Sequence, residues 1–375
     1  IVGIDESRAA DTRTFFAKGD RRTVTRFTSI AAILISLLVA LTVLALVVFA
    51  LGGDPQAVLS AMLVGAFGST YGWSETLLRT VPIVLCALAA ALPAETGQIN
   101  IGGEGQFHLG AIGSVLLVPL LVGYSSPFIM MMVMLCTAIF FGALWAAIPA
   151  ALRVGLGVSE ALVSLFLNYV AINLLQYLVQ GPMRDPNSQG WPMSAPLSSD
   201  LVLNTWGGMR VHSGIVVAIA LALVFAAFVK LTRRGTELRA VGFNPTVSAS
   251  VGIGVPRYVF FSMVLGGALA GLAGFYEIAA IQHRLRPDIS LGFGYSGFLV
   301  AWMCRQQVVL LVPVAILVAG LVVGGENLQV TSGLPAAVGD VAQGLLLLFV
   351  VLSQPFLAWL EKKRAIQSLV KSELS

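Results

Sequence analysis

The feature that most constrains this chain is a run from Phe27 to Leu51 that contains no charged side chain. Crossing the hydrocarbon core of a bilayer takes about 20 mostly apolar residues, and this run is long enough. Composition extends the argument to the whole chain, since 57% of its 375 residues are hydrophobic and 11% are charged. Soluble domains have roughly 45–50% and about 25%. The sequence therefore predicts an integral membrane protein rather than a soluble enzyme.

Further apolar stretches meet the same criterion along the chain. Two are weak candidates, because one carries Arg79 and Pro82 in its first turns and another is too short to cross as a regular helix. We predict an all-α integral membrane protein with about ten transmembrane helices. Their predicted positions are 27–51, 77–93, 107–122, 127–151, 161–179, 215–231, 258–277, 293–304, 308–325 and 337–360.

The basic residues give an orientation, because cytoplasmic loops of membrane proteins carry an excess of Lys and Arg. With ten crossings and an inside N-terminus, all but five of the 22 Lys and Arg residues lie on the cytoplasmic side. Both termini are therefore predicted to be cytoplasmic. The resulting domains are an N-terminal arm (1–26), a membrane domain (27–360) with an outside loop (181–214) and a cytoplasmic loop (232–257), and a C-terminal tail (361–375).

Ten spans divide into two five-helix halves that enter the membrane with opposite orientation, as in many transporters. Two Gly-interrupted polar stretches, 94–106 and 284–294, occupy corresponding positions in these halves. Such a pair is typical of a substrate site near the middle of the membrane. Both stretches are equally compatible with ordinary loops.

Catalytic and nucleotide-binding motifs are missing from the sequence. No GxxxxGK[ST] segment is present to hold nucleotide phosphates, so a partner must bind ATP if ATP drives this protein. HExxH, GxSxG and paired Cys or His spacings are absent as well, and neither a metal site nor a cofactor is expected. The net charge of +4 is a poor basis for nucleic-acid binding.

Four polar residues in apolar surroundings are the candidates for a solute path. Asn100, Glu104 and Gln106 precede the apolar run that begins at Phe107, and polar groups at membrane depth are costly unless they face protein or water. Glu104 has an alternative role, which is to cap the third helix. Asn168 in the fifth helix is favoured for the path, whereas Asn173 is favoured for helix packing.

Two further patterns predict local structure. Asn244 and Pro245 form an N-cap followed by proline at the first helical position, so a short helix is expected from Thr246 to Val251, ending at Gly252. A short helix in a basic cytoplasmic loop suits docking onto another protein, although the segment could also be a solvated linker. In the seventh helix, small residues recur at Ser262, Gly266, Ala270 and Gly274, with Gly267 and Gly271 beside them, which predicts close helix packing.

Taken in order, several segments resemble the permease subunits of bacterial ABC importers. Within that group the chain is similar to ribose and branched-chain amino acid permeases, and above all to nucleoside permeases that use basic-membrane-protein-type lipoprotein receptors. The resemblance covers residues 75–350, and its most specific segment is Asn-Ile-Gly-Gly-Glu-Gly-Gln at 100–106. The other matching segments are 160–169, Gly181-Pro182 with Asp185-Pro186, 239–244 and 268–274. A departure occurs at 302–307, where the family usually has Gly followed by Asn-Pro.

The resemblance implies a multi-pass protein of the bacterial cytoplasmic membrane that works with several partners. These are cytoplasmic ATP-binding subunits, a second and homologous permease chain, and an extracytoplasmic solute-binding protein. Loop 232–257 would engage the ATPases, with matching positions at Glu237, Arg239, Gly242, Asn244 and Gly252. The expected cargo is a small neutral polar solute, in the first place a nucleoside, moved by alternating access.

Three alternatives remain open at the level of sequence. The same machinery could carry a simple sugar or an amino acid. An ion-coupled secondary transporter would need a membrane carboxylate, for which Glu104, Glu277 and Asp288 are the candidates. A purely structural membrane subunit would show no dependence on a solute.

Overall fold

The computed structural model describes residues 35, 38–50, 53–304, 307–332, 341, 344–345 and 348–349. The chain divides into two compact units, one formed by Ile1–Ser60 with Asp340–Ser375 and the other by Ala61–Gly339. In the described part of the first unit, a helix runs over Leu38–Ala50 (α1). The second unit contains all of the candidate site residues.

Helices account for most of the described residues. After α1, these are α2 (Pro55–Phe67), α3 (Thr70–Ala94), α4 (Gly103–Leu116), α5 (Val118–Leu121), α6 (Pro127–Leu156), α7 (Glu160–Gln180), α8 (Gly214–Leu231), α9 (Arg233–Phe243), α10 (Pro245–Ser250), α11 (Val255–Tyr276), α12 (Phe293–Met303) and α13 (Val308–Ser332). A 3₁₀ turn covers Ser199–Leu201, and α11 continues into a π-helical turn at Glu277–Gln282.

Seven of the described helical segments are long and apolar enough to cross a membrane, and α1, α2 and α12 are shorter apolar helices. The all-helical, multi-pass prediction is therefore confirmed for the part of the chain that the structure describes. The predicted span 337–360 and the N-terminal part of 27–51 lie outside the described residues. The count of ten, the inverted halves and the cytoplasmic termini stay predictions.

Two helices were not predicted from the sequence, α2 and α9. Helix α2 has 13 residues, fewer than a membrane span needs, and Gly68 follows at its end. It packs on α13, where Gly320 and Gly324 leave room for the Phe67 ring and the Met62 backbone. Helix α9 has a strongly polar sequence, and its start is marked by Thr232, whose Oγ1 accepts from the Gly235 amide at 3.0 Å.

Helix α3 forms the centre of the second unit, with almost every residue from Leu78 to Pro93 buried except Arg79. The prediction of 77–93 is too short at its N-terminal end by about two turns. Pro82 lies inside the helix and is tolerated there. Glycines elsewhere allow other helices to approach α3, as at Gly297 of α12, which packs against the backbone of Cys86 and Ala87.

The small residues of α11 pack as predicted. A side chain added at Gly266 would stand 2.6 Å from the carbonyl oxygen of Ala89 in α3. Side chains added at Gly267 and Gly271 would overlap the backbone of α6, and one at Gly274 would overlap α4. Helices in lipid have no hydrophobic driving force for association, so van der Waals packing at close approach stabilises them instead. These contacts hold α11 between α3, α4 and α6.

Candidate functional site

The two Gly-interrupted stretches meet at the N-termini of α4 and α12. The Cα and carbonyl oxygen of Gly294 lie 3.6 Å from the position that a Cβ on Gly103 would take. A side chain on Gly294 would in turn overlap the backbone of Glu104. Helix N-termini carry partial positive charge and free N–H groups, so their juxtaposition needs an acceptor between them.

Glu104 supplies that acceptor, with its Oε2 accepting from the Gly294 amide at 2.7 Å. The carboxylate thus caps α12, the neighbouring helix, whereas the capping role considered from the sequence was for its own helix. Its other oxygen lies 3.8 Å from Nδ1 of His108, one turn along α4. The His108 ring itself is hydrogen-bonded to the Glu104 carbonyl oxygen at 2.8 Å.

Asn100 and Gln106 form a reciprocal amide pair behind this junction. Asn100 Nδ2 donates to Gln106 Oε1 at 3.1 Å, and Gln106 Nε2 donates to Asn100 Oδ1 at 3.0 Å. Asn100 also donates to the Ala89 carbonyl at 3.1 Å and accepts from the Gly102 amide at 3.0 Å. Both side chains are buried, and their polar groups are used in closing the turn that precedes α4.

Asn168 connects α7 to the same turn. Its Oδ1 accepts from the Gly105 amide at 2.8 Å, and its Nδ2 donates to the Ile101 carbonyl at 3.0 Å and to the Tyr295 hydroxyl at 3.4 Å. The side chain is fully buried. Asn173, by contrast, is exposed and donates only to the Tyr169 carbonyl one turn earlier.

The structure therefore brings all four sequence-predicted path residues, Asn100, Glu104, Gln106 and Asn168, to one buried junction. Each is engaged with protein groups, as buried polar groups in an apolar interior must be. Glu104 and Asn168 link the start of α4 to α12, and Asn100 and Gln106 close the turn that precedes α4. Asn168 is the one that also contacts an exposed side chain, Tyr295.

Helix α12 presents an aromatic face that the sequence analysis missed. Tyr295, Phe298 and Trp302 follow each other at spacings of three and four residues, which places them on one side of the helix. Tyr295 is 37% and Trp302 45% exposed, while most of the remaining residues of α12 are buried. The rings of Phe298 and Trp302 lie 5.6 Å apart. We call these three residues the aromatic face.

Loop 232–257 contains the short helix that the sequence predicted. Helix α10 runs over Pro245–Ser250, within one residue of the prediction at each end. Asn244 caps it by accepting from the Val247 amide at 3.1 Å. Gly252 follows with a φ of +84°, a conformation that favours glycine and ends the helix.

Gly242 joins this loop to the turn before α4. A Cβ at Gly242 would overlap the carbonyl oxygen of Glu95, and it would stand 3.1 Å from the Gly97 amide nitrogen.

Two other loop residues, Arg239 and Glu237, lie nearby in sequence. Burial raises the pKa of the Glu95 carboxyl, and the exposed Arg239 offsets part of this shift by lowering it. Hydrogen bonds from Tyr258 and Arg233 lower the pKa of Glu237.

Polar contacts that were not predicted join the turn before α4 to the connection between α6 and α7. Arg153 Nε donates to Gln98 Oε1 at 3.1 Å and lies 3.3 Å from Glu160 Oε2. Glu160 Oε1 accepts from the Ile99 amide at 3.0 Å. The charged residues at the start of α7 and the end of α6 were the sequence signal for this contact.

The other two carboxylates considered for ion coupling lie apart from the junction. Glu277 is buried in the π-helical turn, where its Oε1 accepts from Gln282 Nε2 at 3.0 Å. Asp288 is exposed in the connection to α12. Neither carboxylate lies among the contacts of Asn100, Gln106 or Asn168.

Similarity to known proteins extends over most of the chain. The family described as "Branched-chain amino acid transport system / permease component" matches residues 72–351. A glucose ABC transporter permease of Haloferax volcanii is 34% identical over 348 residues, covering 90% of both chains. A guanosine ABC transporter permease of Bacillus subtilis is 32% identical, covering 88% of this chain and 95% of that one. A nucleoside ABC transporter permease of Lactococcus lactis is 28% identical, covering 86% and 91%.

The chain belongs to the branched-chain amino acid transport system permease family. It is an ABC transporter permease subunit and a multi-pass membrane protein, and its relatives are transport components rather than enzymes.

Proposed function

We propose that this permease subunit carries a nucleoside into the cytoplasm, driven by separate ATP-binding subunits. The observation that carries the proposal is the similarity, along most of the chain, to permeases named for guanosine and for nucleosides. An external binding protein would deliver the solute, and a second, homologous permease chain would complete the path.

The aromatic face of α12 fits such a cargo. Stacking of a base on an aromatic side chain is worth about 1–3 kcal/mol and accepts any base, because every base has a π-face. The Tyr295 hydroxyl accepts from Asn168, so its own proton is available to an acceptor on a base. In this proposal Asn100, Glu104 and Gln106 position the helices that line the path, and Asn168 positions Tyr295 at its edge.

The contacts of Gly242 support a route from the ATPases to this path. Motion of α10 would be passed through Gly242 to the turn at 95–97, because the backbones touch without an intervening side chain. From there the amide pair of Asn100 and Gln106 leads to α4, and Glu104 leads on to α12. Alternating access would then follow from rocking of the two halves about the junction.

The test is uptake by proteoliposomes that contain the permease with its partner ATPases, supplied with binding protein outside and ATP inside. We expect labelled guanosine to accumulate when ATP is present. Ionophores, which collapse ion gradients, should leave this accumulation unchanged. Accumulation that needs an ion gradient and no ATP would contradict the ABC mechanism. Accumulation of glucose without any nucleoside would contradict the cargo.

The same assay tests the aromatic face. Replacing Phe298 and Trp302 together with alanine should lower guanosine uptake at least about tenfold, given the stacking energy of two rings. The matched control is Phe140→Ala, which removes an exposed ring from α6, away from the aromatic face. Equal uptake in the double variant and the control would contradict the assignment.

A sugar is the second candidate cargo, since the Haloferax volcanii relative is named a glucose permease. Uptake of glucose that is unaffected by Phe298→Ala and Trp302→Ala would favour it.

A further inference from the structure

A groove lies where α8 ends and α11 begins, outside the proposed solute path. It has a volume of about 630 Å³ and is bordered by the end of α3, the end of α8, α9 and the first turns of α11. The distribution of Lys and Arg predicts that this end of the molecule faces the cytoplasm. The volume falls in the range of about 300–1,000 Å³ that is usual for ligand sites.

The charges that line this groove are all positive. Arg234 of α9 and Arg257 of α11 both border it, and no Asp or Glu is among its lining residues. The nearby carboxylate of Glu237 has both of its oxygens engaged, one by Arg233 at 2.9 Å and the other by the Tyr258 hydroxyl. The two arginines are exposed and are thus available to an anion.

The apolar wall continues from one of these arginines along α11. Arg257, Phe261 and Leu265 follow at intervals of four residues, so they share one face of the helix over about 12 Å at 1.5 Å per residue. Phe261 is 57% and Leu265 54% exposed, although both lie in a candidate membrane span. Phe228 of α8 also lines the groove.

We propose that this groove binds one anionic phospholipid of the inner leaflet. The phosphate lies between Arg234 and Arg257, and an acyl chain lies along Phe261 and Leu265. Positive charge at the membrane surface followed by an apolar wall within the membrane is complementary to this class of molecule. A basic pocket between membrane helices on the cytoplasmic side is a recurrent form of lipid recognition. An acidic protein surface would match the charges but would leave the apolar wall uncovered.

The test compares lipid retention by three forms of the full chain purified in mild detergent. Native mass spectrometry after incubation with phosphatidylglycerol or phosphatidylcholine measures the bound lipid. We expect one phosphatidylglycerol on the unaltered protein and at least about tenfold less on an Arg234→Gln, Arg257→Gln double variant. The matched control is Arg233→Gln, the neighbouring exposed arginine that does not border the groove, and it should retain the lipid.

A second variant tests the acyl wall separately from the charges. Phe261→Ser with Leu265→Ser should weaken phosphatidylglycerol retention while both arginines remain. Retention of phosphatidylcholine equal to that of phosphatidylglycerol would overturn the proposal, and so would unchanged retention in the arginine double variant. Loss of ATPase co-purification in that variant, with lipid retained, would assign the groove to a protein partner instead. None of these outcomes depends on which solute is transported.

Discussion

At the scale of single residues, Asn168 shows how one buried amide fixes the start of a neighbouring helix. It accepts from Gly105 and donates to Ile101, so it satisfies backbone groups that the first turn of α4 cannot pair within the helix. Because no water is available in an apolar interior to replace these bonds, the amide acts on the position of α4 as well as on its stability.

Replacing Asn168 with alanine should therefore be costly. The Gly105 amide and the Ile101 carbonyl would be left buried without this partner, which lowers the free energy of unfolding by about 1–3 kcal/mol. Thermal unfolding of the purified protein in detergent measures the loss. The matched control is Asn173→Ala on the same helix, whose exposed side chain bonds only within α7; its effect should stay within about 0.5 kcal/mol. Equal losses for the two variants would contradict the capping role.

The candidate site was predictable residue by residue, but the roles within it were not. Polar residues in apolar runs singled out Asn100, Glu104, Gln106 and Asn168, because burial of such groups needs a reason. Their partners are distant in sequence, as the Glu104 contact with Gly294 illustrates. Helical periodicity describes one helix at a time. The sequence therefore suggested Glu104 as a cap of its own helix, α4, and could not show that it caps α12.

At the scale of elements, the connection between α9 and α10 depends on a glycine that faces backbone. Gly242→Ala should abolish uptake while the protein stays in the membrane, since even a methyl group would displace the Glu95 carbonyl and separate the loop from the turn before α4. Transport in proteoliposomes and the amount of protein in the membrane are measured together. Gly155→Ala is the control, because a Cβ there meets nothing within 4 Å. Normal uptake in the Gly242 variant would rule out the coupling route.

The elements were predicted well where apolar length or capping residues marked them. Helix α10 was located to within one residue at each end, since Asn244, Pro245 and Gly252 mark both. Helices α2 and α9 were missed because the first is too short and the second too polar for a search based on membrane spans. The aromatic face was missed for another reason. Its exposure depends on how α12 packs against neighbouring helices, and a pattern within one helix does not show this.

At the scale of the whole molecule, the positions of the basic residues predict the orientation. Ser199 in the predicted outside loop and Ser250 at the end of α10 are both exposed. The Ser199→Cys variant should react with a membrane-impermeant maleimide in intact cells, and the Ser250→Cys variant only after permeabilisation, because the positive-inside rule places the two positions on opposite sides. The protein without either substitution gives the background from Cys136, which is exposed on α6. The opposite labelling pattern would invert the predicted topology.

The bond between Glu104 and Gly294 has a consequence for how the protein is made. It joins residues that are 190 positions apart in sequence. During synthesis, the carboxylate at the start of α4 reaches the membrane long before the amide that it caps has been translated. The central junction therefore closes only when the second half of the chain arrives. A nascent chain that stops before Gly294 leaves the Glu104 carboxyl without this hydrogen-bond partner.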